Sequence, residues 1–393
     1  GQPSLGPAGG WRRSLALPPA AAAGLPTDPG PPPRLGAEAT DREFELAVNE
    51  VIAFSATLDP ASGATIDLSP AGRGNAPLGS YDGAGHAADP VTGEPYPPNV
   101  VAHGDYGRLV AEYWADGPRS ETPPGHWNAI ANEVGDELAE IGPLRIGGVG
   151  DPVDRLEWDV KLYLVLNGAA HDGAIAAWGA KGHYDYVRPI SMIRYLGGLG
   201  QSSDPGGPSY DPDGLLLEPG LVEVVTEASS APGERHAHLA DHVGEIAVLS
   251  WQGVPADVET EVGGVGWIRA VDWTPYQMPT FVTPSFAAYV SGHSTFSRAA
   301  AEVLTAMTGS EYFPGGIGER LRPAGSLEFE AGPDADVVLQ WATYADAADE
   351  AGLSRLYGGI HVRADDLAGR RIGAEVGRLA WARATQHFGA RTG

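Results

Sequence analysis

Helical patterning of apolar residues begins at Thr40-Asp41, which precede R-E-F-E-L-A-V-N-E-V-I-A-F, a polar cap followed by apolar residues three and four apart. The same periodicity predicts helices near 105–116, 126–140 and 153–180, the last ending close to Lys181, and another from Arg188 to Tyr195. Two more are expected, from Ser291 to Thr308 and over 362–386. Residues 60–100 and 197–220 are rich in Gly, Pro and Asp and read as loops,. A short hairpin is expected within 258–273, and strand signal is weak elsewhere,. The pattern therefore predicts an all-α helical bundle with long loops and at most a short hairpin. Residues 1–40, rich in Pro, Gly and Ala, read as an extended arm, with 41–393 as a single helical domain,.

Composition narrows the function. The formal net charge of −26 and a pI near 4.6 argue against nucleic acid and anionic membrane as partners,. No apolar run reaches the roughly 18 residues that a membrane span needs,. The chain has no cysteine, which excludes disulfides and thiolate metal sites, and only 3 methionines,. Such a composition suits a protein that meets strong oxidants, because these side chains are attacked first. The chain opens on Gly1 rather than Met, from which a processed or truncated N-terminus and a secreted or periplasmic location are expected,.

Its 25 basic residues include just two lysines, Lys161 and Lys181. Lys181 stands seven residues before Arg188, a spacing that in one helix points both side chains the same way. An ammonium is a movable point charge and a guanidinium a planar fork suited to oxyanions. Ser291, Gly292 and His293 open a strongly helical stretch, where free N–H groups favour an anion and a histidine adds an acid/base group,. Arg355, His361 and Asp365 form a third group across Gly358-Gly359, with Asp365 spaced to orient the His361 ring,. Alone, S-G-H reads as a helix cap and His361/Asp365 as a structural hydrogen bond. Together, the three segments meet the demands of a tetrahedral oxyanion, which needs several donors and an axial group.

The pieces K-x6-R-P, S-G-H and S-R-x3-G-x-H-x3-D, in the pocket segments 178–189, 286–298 and 354–365, resemble the signature shared by vanadium-dependent haloperoxidases and type-2 phosphatidic acid phosphatases. I-A-A-W-G-A-K-G-H-Y-D-Y-V-R-P-I-S-M-I-R and A-D-E-A-G-L-S-R-L-Y-G-G-I-H look like bacterial haloperoxidase homologues. The resemblance implies a helical bundle of the haloperoxidase/acid phosphatase type that binds vanadate. Lys181, Arg188 and Arg355 would hold the equatorial oxygens, Ser291 and the Gly292 amide would donate to them, and His361 would bind vanadium axially. His293 would handle the proton of incoming peroxide, and Lys181 would polarise the bound peroxide. Hydrogen peroxide, halide and a small organic acceptor would be the reactants, with hypohalous acid as the halogenating product. Trp178 and Phe286 match positions near the halide site, and a homodimer is expected by analogy.

The same pocket also suits a soluble acid phosphatase with a phosphohistidine at His361, since orthovanadate and phosphate share shape and charge. His236, His238 and His242, with Asp241, offer a spacing that can bind zinc,. The loop from Asp204 to Asp213 is a calcium candidate, although a solvated loop is the simpler reading,. A non-catalytic anion-binding protein is a further alternative. His126 and Trp127, after a Pro-Gly turn, are expected to border the pocket entrance, and Trp341 and Tyr344 to lie in the core.

Overall fold

The computed structural model describes residues 14–18, 25–115, 117 and 121–388. The expected all-α architecture is present among them, as helices α1 (Asp41–Ala56), α2 (His103–Tyr113), α3 (Pro123–Ile141), α4 (Arg155–Tyr184), α5 (Pro189–Leu199), α6 (Gly292–Thr308), α7 (Tyr344–Tyr357) and α8 (Arg363–Phe388). Local chemistry accounts for most of their ends. The Asp154 side chain accepts from Glu157 N at 2.8 Å and opens α4,. Asp185, at φ 43°, closes it in the left-handed region,. Arg188 then takes an extended conformation and Pro189 starts α5, as proline does at a first helical position,. Lys181 and Arg188 therefore do not share one helix as their spacing suggested, because a helix end and a new helix start lie between them. Thr343 and Asp346 form a reciprocal capping box on α7, a helix that the sequence pattern did not reveal,. At α1 the Thr40 side chain makes no cap; its hydroxyl accepts from Arg34 N at 3.1 Å instead.

Seven short strands decorate the long connections as three antiparallel sheets. They pair β1 (Thr65–Asp67) with β2 (Val100–Ala102), β3 (Val222–Val224) with β4 (Ile246–Trp251) and β5 (Val265–Arg269), and β6 (Gly318–Arg322) with β7 (Val337–Trp341). The hairpin expected within 258–273 is not formed. Only its second half is a strand, and β5 pairs back to β4, with Ala247 opposite Arg269 and Trp251 opposite Val265.

The core is built around α6, which packs against α4, α7 and α8. Leu304, Val303 and Met307 of α6 are fully buried; truncating such a leucine to alanine costs about 2–5 kcal/mol. The approach of α8 to α6 is unusually close. A Cβ placed at Gly369, Gly373 or Gly377 would lie 2.7, 2.5 or 2.6 Å from the carbonyl oxygens of Ser291, Thr295 and Ala299. Glycines four apart on one helix thus sit on carbonyls four apart on the other, one turn at a time. This contact brings the first turn of α8 to the start of α6, and Ser291 N donates to Asp365 O at 2.9 Å.

Described parts of the N-terminal arm lie on the bundle. Leu15 and Ala16 N–H groups donate to Asp172 at 2.8 Å each, and the Tyr289 and Tyr186 hydroxyls donate to the carbonyls of Gly30 and Pro33. Among the described residues, no helix is long and apolar enough to cross a membrane. Trp341 and Tyr344 are core residues, as expected.

Candidate active site

Four helix ends and the 286–288 loop enclose the site. Lys181, in the last turn of α4, is buried, and its Nζ donates to the carbonyls of Ala287 at 2.9 Å and Ala288 at 2.8 Å. Arg188, at the start of α5, uses the same loop. Its Nε donates to Phe286 O at 3.0 Å, and its Nη1 donates to Ile360 O at 2.8 Å and approaches His361 Nε2 at 3.2 Å. The 286–288 segment therefore gathers a lysine from one helix and an arginine from the next. Trp178 and Phe286 cover this corner, with ring centroids 5.4 Å apart. Lys181 Nζ lies 5.7 Å from the Trp178 ring centroid and 5.3 Å from that of Phe286, within cation–π range. Both aromatics are more than a third exposed, so they stand at the mouth of the pocket.

Ser291 caps α6, and Gly292 is its first helical residue. A Cβ on Gly292 would press on the Trp178 ring at 3.3 Å, so glycine lets the helix start close beneath the indole,. His293 Nε2 lies 2.7 Å from the Trp114 carbonyl. A carbonyl only accepts, so Nε2 carries the proton and the lone pair of the neutral ring is on Nδ1. Across the pocket, His361 Nδ1 lies 2.8 Å from Asp365 Oδ2. The donor Arg188 faces its Nε2, which leaves the lone pair there,. Arg355, on α7, donates through Nη2 to Ala111 O at 2.7 Å and through Nε to the Ser354 hydroxyl at 2.9 Å.

The electrostatics show how tightly these groups are gathered. Burial, then the charges of Arg188, Lys181, His293 and Arg355, hold the His361 imidazole well below its ordinary value. Burial and Arg355 do the same to His293. Burial and the neighbouring Arg188 charge press the Lys181 ammonium well down, opposed by Asp365, and burial brings Arg188 down to about 10. Burial pushes the Asp365 carboxyl up to about 7, against the Val362 N–H and the charges of Lys181 and Arg188. Its Oδ1 is buried with no hydrogen-bond partner. Cations and imidazoles that suppress one another's charge suit an enclosure for a multiply charged anion. The chemistry of this donor set fits a tetrahedral oxyanion such as vanadate or phosphate.

Other candidates do not come together. His236 Nδ1 bonds the Ser229 hydroxyl at 2.9 Å, His238 Nε2 the Trp267 carbonyl at 2.6 Å, and His242 Nδ1 the Glu245 carboxylate at 2.9 Å. The zinc expectation fails because a kink at Leu239 sends each ring to its own partner. In the Asp204–Asp213 loop, Asp204 and Asp211 accept from Gly206 N and Asp213 N, as turn residues do. No group of three His, Asp or Glu residues able to hold a metal occurs among the described residues. His126 and Trp127 are buried around Trp114 rather than lining an entrance. The 189–290 insertion forms the three-stranded sheet and walls a cavity of about 860 Å³, with Ile190, Trp251, Trp267, Gln277 and Thr283 among its lining. Sequence reasoning missed Ser294, Asp366, Arg370 and Tyr81, which form a polar network behind Ser291. The S-x-x-S spacing at the helix start and the second aspartate of A-D-D were the available signals.

The sequence profile of the VCPO second helical-bundle domain matches residues 161–390, more than half of the chain. Among solved structures, a holo-type bacterial vanadium-dependent chloroperoxidase aligns with a TM-score of 0.55 at 17% identity, over 91% of this chain and 51% of that one. An apo-type bacterial vanadium-dependent chloroperoxidase aligns with a TM-score of 0.54 at 18% identity, over 92% of this chain and 54% of that one. The chain thus spans about half the length of these structures, and at such identity the likeness is one of fold. No curated protein matches the chain.

Proposed function

The chain belongs to the family of the VCPO second helical-bundle domain, and on that premise we propose that it is a vanadate-dependent haloperoxidase. The reaction is H2O2 + X⁻ + H⁺ → HOX + H2O, and the hypohalous acid then halogenates an organic acceptor. The observation that carries this reading is the convergence of Lys181 and Arg188 on the carbonyls of 286–288, with Arg188 Nη1 3.2 Å from His361 Nε2.

Bound vanadate would supply a Lewis-acid centre that activates peroxide toward halide. Lys181, Arg188 and Arg355 would hold its oxygens, the Gly292 amide and Ser291 would complete the lining, and His361 would hold it through Nε2. Asp365 fixes the His361 tautomer by accepting from Nδ1–H,. With Nε2–H of His293 tied to the Trp114 carbonyl, its Nδ1 would accept the proton of incoming peroxide and return it as water leaves. Depressed basicity suits this role, since the ring must stay neutral to accept,. Halide approaches past Trp178 and Phe286, whose rings flank the Lys181 ammonium.

The test is halogenation of a phenol-type acceptor by vanadate-loaded protein given peroxide with chloride, bromide or iodide side by side, against hydrolysis of an aryl phosphate by vanadate-free protein. Halogenation with negligible hydrolysis is expected. Hydrolysis without halogenation would make His361 a phosphorus nucleophile instead.

A further inference from the structure

The cavity of about 860 Å³ beside the three-stranded sheet shares two walls with the oxyanion enclosure. One is the first turn of α5. Ile190 lines the cavity, and Arg188, two residues earlier, donates to Ile360 O within the enclosure. The other is a single loop. Gln277, Met278 and Thr283 line the cavity, and the same loop continues to the 286–288 carbonyls that hold Lys181 and Arg188. The turn that precedes His361 rests on this loop. A Cβ at Gly359 would come 3.0 Å from Pro275 Cβ, and one at Gly358 would lie 3.9 Å from Gln277 Nε2.

The lining suits a flat, uncharged ligand. Trp251 of β4 and Trp267 of β5 supply aromatic walls, and Ile190 and Met278 supply aliphatic ones. Cavities of about 300–1,000 Å³ take drug-sized ligands, so an aromatic of more than one ring has room here. Arg269, also in the wall, is held by Glu245 at 3.2 Å and Asp272 at 2.7 Å, which leaves it no free charge for an anion. Two polar groups of the wall do lack partners among the described residues. The Thr283 hydroxyl oxygen is buried with none. Gln277, itself buried, spends its Nε2 on the Tyr276 carbonyl at 2.9 Å, so its Oε1 is left to accept,. Unpaired buried groups cost stability, and a phenolic hydroxyl supplies what both lack: a proton for Gln277 Oε1 and a lone pair for the Thr283 hydroxyl.

We propose that this cavity binds the organic acceptor, a neutral fused-ring phenol, so that halogenation takes place on a bound substrate beside the oxyanion enclosure. The proposal rests on the haloperoxidase reading for its supply of hypohalous acid. A ring carbon of the phenol attacks the halogen, the O–X bond breaks as the C–X bond forms, and the displaced ring proton joins the released hydroxide as water: ArH + HOX → ArX + H2O. The protein's part is to bind and orient the ring through the two tryptophans, Gln277 and Thr283.

Isothermal titration of the full chain with 2-naphthol at neutral pH, without vanadate or peroxide, tests the site. Saturable binding of one naphthol per chain is expected. Gln277→Leu should weaken it on the order of five- to tenfold, while 2-methoxynaphthalene, which has no proton to give, should bind both proteins alike. Thr283→Val removes an unpaired buried hydroxyl, so it should melt no lower than wild type yet bind 2-naphthol several-fold more weakly. A hydroxyl with only a structural role would move the melt and leave the affinity. No saturable binding to wild type, or undiminished binding in both variants, overturns the proposal. A competition adds an arm that needs no variant. Given equal 2-naphthol and 6-hydroxynaphthalene-2-sulfonate, the vanadate-loaded enzyme should favour the neutral phenol on the order of fivefold more than reagent hypobromous acid does, and an identical ratio means that the acceptor reacts in free solution. Naphthol binding without halogenation sinks only the haloperoxidase reading. Halogenation with the reagent's ratio and no naphthol binding sinks only this one.

Discussion

Two groups of histidines look equally chemical in the sequence and meet opposite fates. His293 and His361 lie 68 residues apart, yet they share one enclosure, where burial and then neighbouring charges, His293 among them, lower the basicity of His361. His236, His238 and His242 lie within seven residues, yet their rings bond a serine, a carbonyl and a carboxylate in separate places. The difference is where the backbone turns. The first pair stands at the ends of long helices whose axes are fixed by packing, so the side chains at those ends share one point. The second group sits on a kinked 3-10 stretch beside a small sheet, where successive side chains fan outward,. Closeness in sequence is therefore poor evidence for a site when the local structure diverges, and several helix ends are strong evidence when they meet.

Substitutions can break or sharpen that contrast. The largest effect is expected from His361→Ala, which should lower vanadate affinity by roughly hundredfold or more. Equilibrium dialysis would show it, as would loss of the stabilisation that a ligand gives, about 2.7 kcal/mol at a hundred times Kd. Vanadate binding as tight as wild type would remove His361 from the converging group. His293→Ala should bind vanadate normally and turn over about 10²–10⁴-fold more slowly, so a variant that loses binding instead would reassign the residue. Lys181→Arg keeps the charge but puts a planar fork where a point charge sits between two carbonyls; halogenation should fall about tenfold. Unchanged turnover would show that only charge matters there. The smallest effect belongs to the other region. His242→Ala should leave vanadate binding and turnover intact and cost no more than about 1 kcal/mol in a denaturant melt, because its partner pair is largely solvated,. Elemental analysis finding one zinc per chain would erase the contrast altogether.

The legible parts of the molecule were those with contrast along the chain. α1, α6 and the loops around them alternate apolar and polar positions clearly enough to be placed within a few residues. α7 escaped notice because it is buried on nearly every side, from Tyr344 and Ala347 through Glu350, Ser354 and Arg355, so no solvent face marks its period. The residues proposed to hold the oxyanion were legible because each belongs to a short motif of unusual residue types. Their relation was not: the turn at Asp185 and the extended Arg188 place the lysine and arginine opposite one loop, which no count of residues implied. Ser294 and Asp366 were hidden for a different reason. A serine in a first helical turn and an acidic residue at a helix start are what capping alone would select, and only the 2.6 Å contact between them shows a shared task.

The glycines of α8 that rest on the carbonyls of α6 act as the gauge of the whole machine. Where side chains separate two helices, repacking can absorb an error of a few tenths of an ångström. Here backbone rests on backbone, and the spacing between the Ser291 and His361 walls is machined rather than padded. A methyl group added at Gly369 would not merely fill space; it would reset the bore of the pocket. Efforts to widen this site for bulkier chemistry therefore have room to work at Trp178 and Phe286 on the rim and almost none along that seam.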